Sequence, residues 1–167
     1  MEAIVNKVAE SGIITMDLAP FIPKDEVAVF DLKPFLFREM ILREKDYRAA
    51  LQAHDWNQYE HKHIAITCSV DAIVPVWAYM LATTYLNPVA ASVYFGTGEE
   101  LTKLLIQNRI NAIDVQEYAD KRVVIKGCGD TPIPEAAYVA ITQRLRAVVK
   151  SLMYGEPCST VPIYKRR

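Results

Sequence analysis

The sequence predicts an α/β fold: three layers, a mostly parallel sheet of βαβ units, and an N-terminal hairpin or edge strands. Three observations predict it. From residue 63 onward, short apolar β-branched runs alternate with longer segments of helical spacing. Those strand-like runs are continuously apolar, as strands covered on both faces are. A chain of 167 residues, 51% hydrophobic, is also long enough to bury a core without disulfides, so a single domain over residues 1–167 is expected.

The elements follow in order. Gly12 to Leu18 alternates loosely, and Val27 to Leu32 is apolar and β-branched. Pro20, Pro23 and Lys24-Asp25 suit the connection between them. After Pro34, the residues Phe35, Phe37, Met40, Ile41, Tyr47 and Leu51 recur at three- and four-residue spacing and predict a helix to His54. Strands are then expected at 63–67, 91–95 and 122–126, each followed by a helix, at 72–86, 99–109 and 134–153. Right-handed crossovers make such strands parallel. Gly155 reads as the terminator of the last helix.

Charge is balanced, with 19 Lys and Arg against 20 Asp and Glu, so nothing draws the chain generally to nucleic acid or to an anionic membrane. Lys165-Arg166-Arg167 reads as a solvated tail. The opening MEAIVNKVAESG lacks the charged and apolar regions of a signal peptide. The longest apolar stretch, 72–86, is too short to span a bilayer. A cytoplasmic protein is expected. Three cysteines without a C-x-x-C pair are expected as thiols or thiolates.

Two stretches carry the chemistry. Residues 64–79 read IAITCSVDAIVPVWAY, and residues 122–138 read RVVIKGCGDTPIPEAAY. In each, an apolar run leads to a cysteine (Cys68, Cys128), then an aspartate (Asp71, Asp130), then Pro-x-x-Ala-Tyr. Ligands of open α/β sheets collect beyond the carboxyl ends of the strands. If both strands belong to one sheet, both cysteines open onto one edge. Gly127 and Gly129 leave Cys128 uncrowded. Asp71 and Asp130 are expected as helix N-caps, and Pro75 and Pro134 in the first helical turns. A thiolate near a helix N-terminus is stabilised by the dipole and the free amides.

Cys158 lies in YGEPCSTVP, a composition suited to an exposed turn. A helix running to Gly155 would leave it at the opposite edge, unless the tail returns or the second subunit of a homodimer supplies it. Three readings stay open. Cys68, Cys128 and Cys158, with Asp71, hold zinc or an iron–sulfur cluster on soft sulfur ligands. Or Cys128 is the nucleophile of a metal-free thiol enzyme, with Asp130 as base or orienter. Or the chain is a non-catalytic adaptor whose cysteines pack.

The remaining signals are structural. His61 and His63 share one strand face at its amino end and read as solvated surface. His54 sits at a helix end, where a cation is favoured. Trp56 and Trp77 read as core. Phe95-Gly96-Thr97-Gly98-Glu99 is half of a dinucleotide turn, but Leu101 stands where the third glycine belongs, so it reads as a tight turn. Walker A, G-x-S-x-G and H-E-x-x-H motifs are absent, as are nucleic-acid modules.

Together, IVNKVAESGIITMDL, AITCSVDAIVPVWAYML, RVVIKGCGD and SLMYGEPCSTVP resemble the bacterial proteins grouped as domain of unknown function 2480, across nearly the whole chain. The resemblance implies a small intracellular protein. Through neighbouring genes, it also implies iron–sulfur assembly proteins as partners and an iron–sulfur cluster in preference to zinc. It implies no activity. Cys68, Asp71, Cys128, Asp130 and Cys158 all fall within these stretches.

Overall fold

The computed structural model describes residues 12–127, 129–156 and 158–167. In chain order its strands and α-helices are β1 (Ile13–Met16), β2 (Val27–Asp31), α1 (Glu44–Ala53), β3 (His63–Thr67), α2 (Val76–Leu86), β4 (Ser92–Phe95), α3 (Gly98–Asn111), β5 (Arg122–Ile125), α4 (Glu135–Leu145), β6 (Ser151–Glu156) and β7 (Ser159–Lys165). The chain forms two compact units. A split unit takes in Met1–Ile22 and Lys103–Arg167, and an inserted unit takes in Pro23–Thr102.

The inserted unit is a three-stranded parallel sheet in the order β2-β3-β4. Ile64 and Ile66 point to one face by strand alternation. They share a buried cluster with Tyr47 and Leu51 of α1 and with Ala78, Ala82 and Leu86 of α2. The i, i+4, i+8 spacing of those last three puts them on one helix face, where the alanines allow close approach to the sheet. The split unit has four strands in the order β1-β5-β6-β7, the first three parallel and β7 antiparallel. Val123 and Ile125 cluster with Ile106 and Ile110 of α3 and with Ala137, Ile141 and Leu145 of α4.

The two units repeat one plan. A constant shift of 59 lays residues 44–97 on residues 103–156 without a gap. Buried Tyr47 and Leu51 fall on buried Ile106 and Ile110. Asp55 and Asp114 each accept a backbone N–H two residues on, from Asn57 (3.1 Å) and Gln116 (3.0 Å), and open a 3-10 turn. His61 and Asp120 follow with φ of 60° and 58°. Pro75 and Pro134 precede helices of 11 residues with near-identical backbone angles, φ −68°, ψ 144° and φ −65°, ψ 145°. A shift of 14 relates the first strands, Met16-Asp17-Leu18-Ala19-Pro20-Phe21 matching Phe30-Asp31-Leu32-Lys33-Pro34-Phe35. In each, the aspartate accepts the amide two residues on at 2.9 Å, starting a 3-10 turn.

The α/β class and the mostly parallel pairing are those expected from sequence. β1 and β2 are edge strands of separate sheets, with no hairpin between them. Three expectations are corrected. β3 and β5 do not share a sheet, because each strand pairs within its own unit. The helix expected after Pro34 begins only at Glu44. Before it lie the 3-10 turn at Lys33–Phe35 and a corner in which Phe37 bridges Ile41, with Arg38 and Glu39 at φ of 51° and 56°. Two successive residues in the left-handed region cannot continue a right-handed helix. The last helix ends at Leu145, and residues 151–156 form β6 between β5 and β7. A short apolar run such as Ser151-Leu152-Met153-Tyr154 satisfies either periodicity, and pairing on both sides makes it a strand.

Candidate functional site

A cleft of about 860 Å³ opens in the split unit. It lies where β1, β5 and β6 run out, the edge at which parallel α/β sheets place their ligands. Asp17 follows β1, Lys126 and Gly127 follow β5, and Tyr154 stands near the end of β6; all four line the cleft. Gly129, Asp130, Glu135 and Tyr138 line it from the loop after β5 and from the start of α4.

The walls have defined causes. The register that sets Met16 beside Ile125 and Ile125 beside Tyr154 brings the three strand ends together. Lys126 Nζ stands 3.7 Å from Asp17 Oδ2 across the first pair. The Tyr154 hydroxyl donates to the carbonyl of Gly127 at 3.2 Å, and its ring meets Tyr138 edge-on at 5.8 Å. The ring lies this close only because residue 127 has no side chain. A Cβ there would sit 2.8 Å from Tyr154 Cζ. Thr142 Oγ1 donates to the Tyr138 carbonyl at 2.7 Å, so its hydroxyl is occupied within the helix. The site therefore combines two phenol rings, an apolar wall, a Lys–Asp pair and the exposed carboxylates of Asp130 and Glu135.

The expected site residues distribute as follows. Cys128 lies outside the described residues, but Gly127 and Gly129, its neighbours in sequence, both line the cleft. Asp130 lines it too. Cys158 is exposed in the loop joining β6 to β7, beyond the carboxyl end of β6. The helix that would have carried it to the opposite edge is replaced by a strand, and the parallel pairing of β6 with β5 returns the chain to the carboxyl edge. Cys68 and Asp71 belong to the inserted unit. The Cys68 thiol is half-buried against that unit's core and donates to the Val70 carbonyl at 3.5 Å. Asp71 and Asp130 do not cap helices. Pro75 and Pro134 hold the N-cap positions, with no side-chain cap bond. Among the described residues no group of three His, Cys, Asp or Glu side chains is placed to hold a metal ion.

In the inserted unit the loops of the equivalent corner are tied together by Asp31. Its carboxylate accepts from the Ser69 amide (3.0 Å), the Ser69 hydroxyl and the Lys33 amide. Burial works to raise the Asp31 pKa, but these hydrogen bonds and the charge of Lys33 together hold it below the usual carboxylate value. Burial, aided by Cys68 and Asp31, raises that of nearby Tyr79.

His63 departs from its expected solvated state. It is largely covered, with Nδ1 2.7 Å from Ser92 Oγ and Nε2 3.5 Å from Asp25. That contact ties β3 to β4 at their amino ends, away from the strand edge that carries Cys68. His54 ends α1 and packs among Phe30, Phe35, Trp56 and Tyr59. The glycine turn at 96–98 starts α3 through a capping box: the Thr97 amide donates to Glu100 (2.7 Å) and the Glu100 amide to Thr97 Oγ1 (3.2 Å), satisfying donors that a phosphate would need.

Sequence reading missed Asp17 and Tyr154 as cleft residues. The signal for Asp17 was present: Asp-Leu-x-Pro-Phe occurs twice, at Asp17 and at Asp31. None of the described helices is long and apolar enough to cross a membrane. No curated protein and no solved structure matches the chain. A family model described as a protein of unknown function, DUF2480, matches residues 2–166. With the match running almost from end to end, the chain belongs to the DUF2480 family.

Proposed function

We propose that this protein acts through a cysteine thiol on a small molecule held in the split-unit cleft, with Cys128 as nucleophile and Asp130 as its base or orienter. The observation that supports this reading is the position of the cleft. It opens at the carboxyl end of β5, and the two glycines that bracket Cys128 in sequence line it. The thiolate is the attacking form, so the Cys128 proton must leave first; the Asp130 carboxylate, two residues on, is the group proposed to accept or orient it. The test is iodoacetamide labelling across pH, read peptide by peptide. Cys128 should label fastest, with an apparent pKa below the free-thiol value of about 8.5. Cys128→Ser should remove that fast phase. Uniformly slow labelling of all three cysteines overturns the reading.

A second reading is metal or iron–sulfur binding by the cysteines of this chain, Cys128 and Cys158 of the split unit among them, with iron–sulfur assembly proteins as partners. One observation favours it: the β6–β7 hairpin puts Cys158 beyond the end of β6, the neighbour of β5. Zinc, iron and acid-labile sulfide measured on protein purified without oxygen test it. Stoichiometric metal lost in Cys128→Ser supports it, and metal retained in that variant overturns it.

A further inference from the structure

We infer that the cleft is the open copy of a corner the chain contains twice, and that Gly129 is the residue that admits a ligand to it, while Gly127 seats the Tyr154 wall. The inference rests on the cleft being the working site and names what sets its selectivity.

The shift of 59 that superimposes the two units in sequence also pairs the parts of this corner. Tyr138 and Tyr154 meet edge-on at 5.8 Å and 79°; their counterparts Tyr79 and Phe95 do so at 5.1 Å and 84°. Thr142 bonds the Tyr138 carbonyl at 2.7 Å, and Thr83 bonds that of Tyr79 at 2.8 Å. Asp17 and Asp31 open the same turn after the edge strand. The frame is one frame, used twice.

The floor differs. Gly127 and Gly129 correspond to Cys68 and Val70. In the split unit the bare backbone at 127 lets Tyr154 lie down on it, the residue being 39% exposed. In the inserted unit Cys68 fills that place, packed against the core, and Phe95 stands out at 68% exposure. At 129, no described atom beyond its chain neighbours lies within 4 Å of a Cβ built there, and its φ is not in the left-handed region. A valine, as at position 70, therefore fits the backbone and adds bulk at a position that lines the cleft. Two further differences set the ligand class. Lys126 and Glu135 line the cleft where the inserted unit has Thr67 and Val76. The cleft suits a small molecule with an ionic end; its counterpart carries neither the lysine nor the glutamate at those two positions.

The experiment uses the full chain with labelled methyl groups and a soluble nitroxide, 4-hydroxy-TEMPO, as the probe. Nitroxide broadening of the Ile133 and Met153 methyls reports entry to the cleft. Gly129→Val should weaken that broadening severalfold while the exposed methyls of Val29, in the inserted unit, keep their own. Gly129→Ala should weaken it less, and it decides the matter if the valine variant does not fold. The reciprocal Val70→Gly should increase broadening at Val74 in the inserted unit. Unchanged broadening at Ile133 and Met153 in the folded 129 variants overturns the inference. So does an inserted-unit corner as accessible as the cleft in the unaltered chain. Iodoacetamide labelling of the same proteins separates the two ideas. Slow Cys128 in the unaltered chain sinks the thiol reading while the nitroxide result still decides the gate. Fast Cys128 with unchanged nitroxide entry sinks the gate alone.

Discussion

Gly127→Ala puts a methyl group where the ring of Tyr154 lies. The new Cβ would stand 2.8 Å from Cζ, 2.9 Å from the hydroxyl oxygen and 3.1 Å from Cε1, all well inside the carbon contact optimum of about 3.5–4.0 Å. All three atoms belong to the far end of a side chain on an exposed face, so the ring swings out and the backbone stays. What is lost is the hydrogen bond to the Gly127 carbonyl, about 0.5–1.5 kcal/mol and near the low end for an exposed pair. The edge-on contact with Tyr138 adds about 0.5–1.5 kcal/mol. A net loss of about 1–2 kcal/mol lowers Tm by about 2–8 °C in a chain this size. Gly155→Ala is the control. There φ is 122° and the Cβ would meet the Ser159 carbonyl oxygen at 2.5 Å, backbone that cannot rotate away without opening the β6–β7 hairpin. Its cost should exceed about 3 kcal/mol. Thermal unfolding compares the two variants, and aromatic NMR follows the Tyr154 ring. Equal destabilisation by both, or a Tyr154 ring unmoved in Gly127→Ala, refutes the reasoning about this wall.

Three more outcomes are expected. Asp31→Asn should destabilise the chain at neutral pH. Because the folded-state pKa is held below the unfolded value of about 3.9, the stabilisation is present above that value and is lost as pH falls through the folded one. The gap between the unaltered chain and the variant in urea midpoint should therefore shrink on acidification below about pH 4. Tyr47→Phe removes the buried hydrogen bond from the Tyr47 hydroxyl to the Ala78 carbonyl, 2.8 Å, and should cost about 0.5–1.5 kcal/mol by urea unfolding. Burial raises the Tyr47 pKa, so its stabilisation is complete below about pH 10 and fades as pH rises further; the Phe variant should lack that alkaline decline. Ile141→Ala, at a fully buried position of α4, should cost about 2–5 kcal/mol, since the surrounding core closes only part of the cavity.

The sequence by itself determined the class of fold, the parallel βα alternation and the existence of two similar corners. These depend on local patterns: β-branched runs, helical spacing, and Pro-x-x-Ala-Tyr after a strand end. Tertiary structure decided the rest, and the reason is that strand pairing is non-local. Nothing in IAIT or RVVI states which neighbour each strand will choose, so the assignment of β3 and β5 to separate sheets became visible only through their partners β2, β4, β1 and β6. The same holds for Ser151-Leu152-Met153-Tyr154, which in isolation satisfies either periodicity and becomes a strand between β5 and β7. That single choice moves Cys158 to the carboxyl edge. It also lays Tyr154 over Gly127, and so builds a cleft wall from two residues 27 positions apart that no local pattern connects.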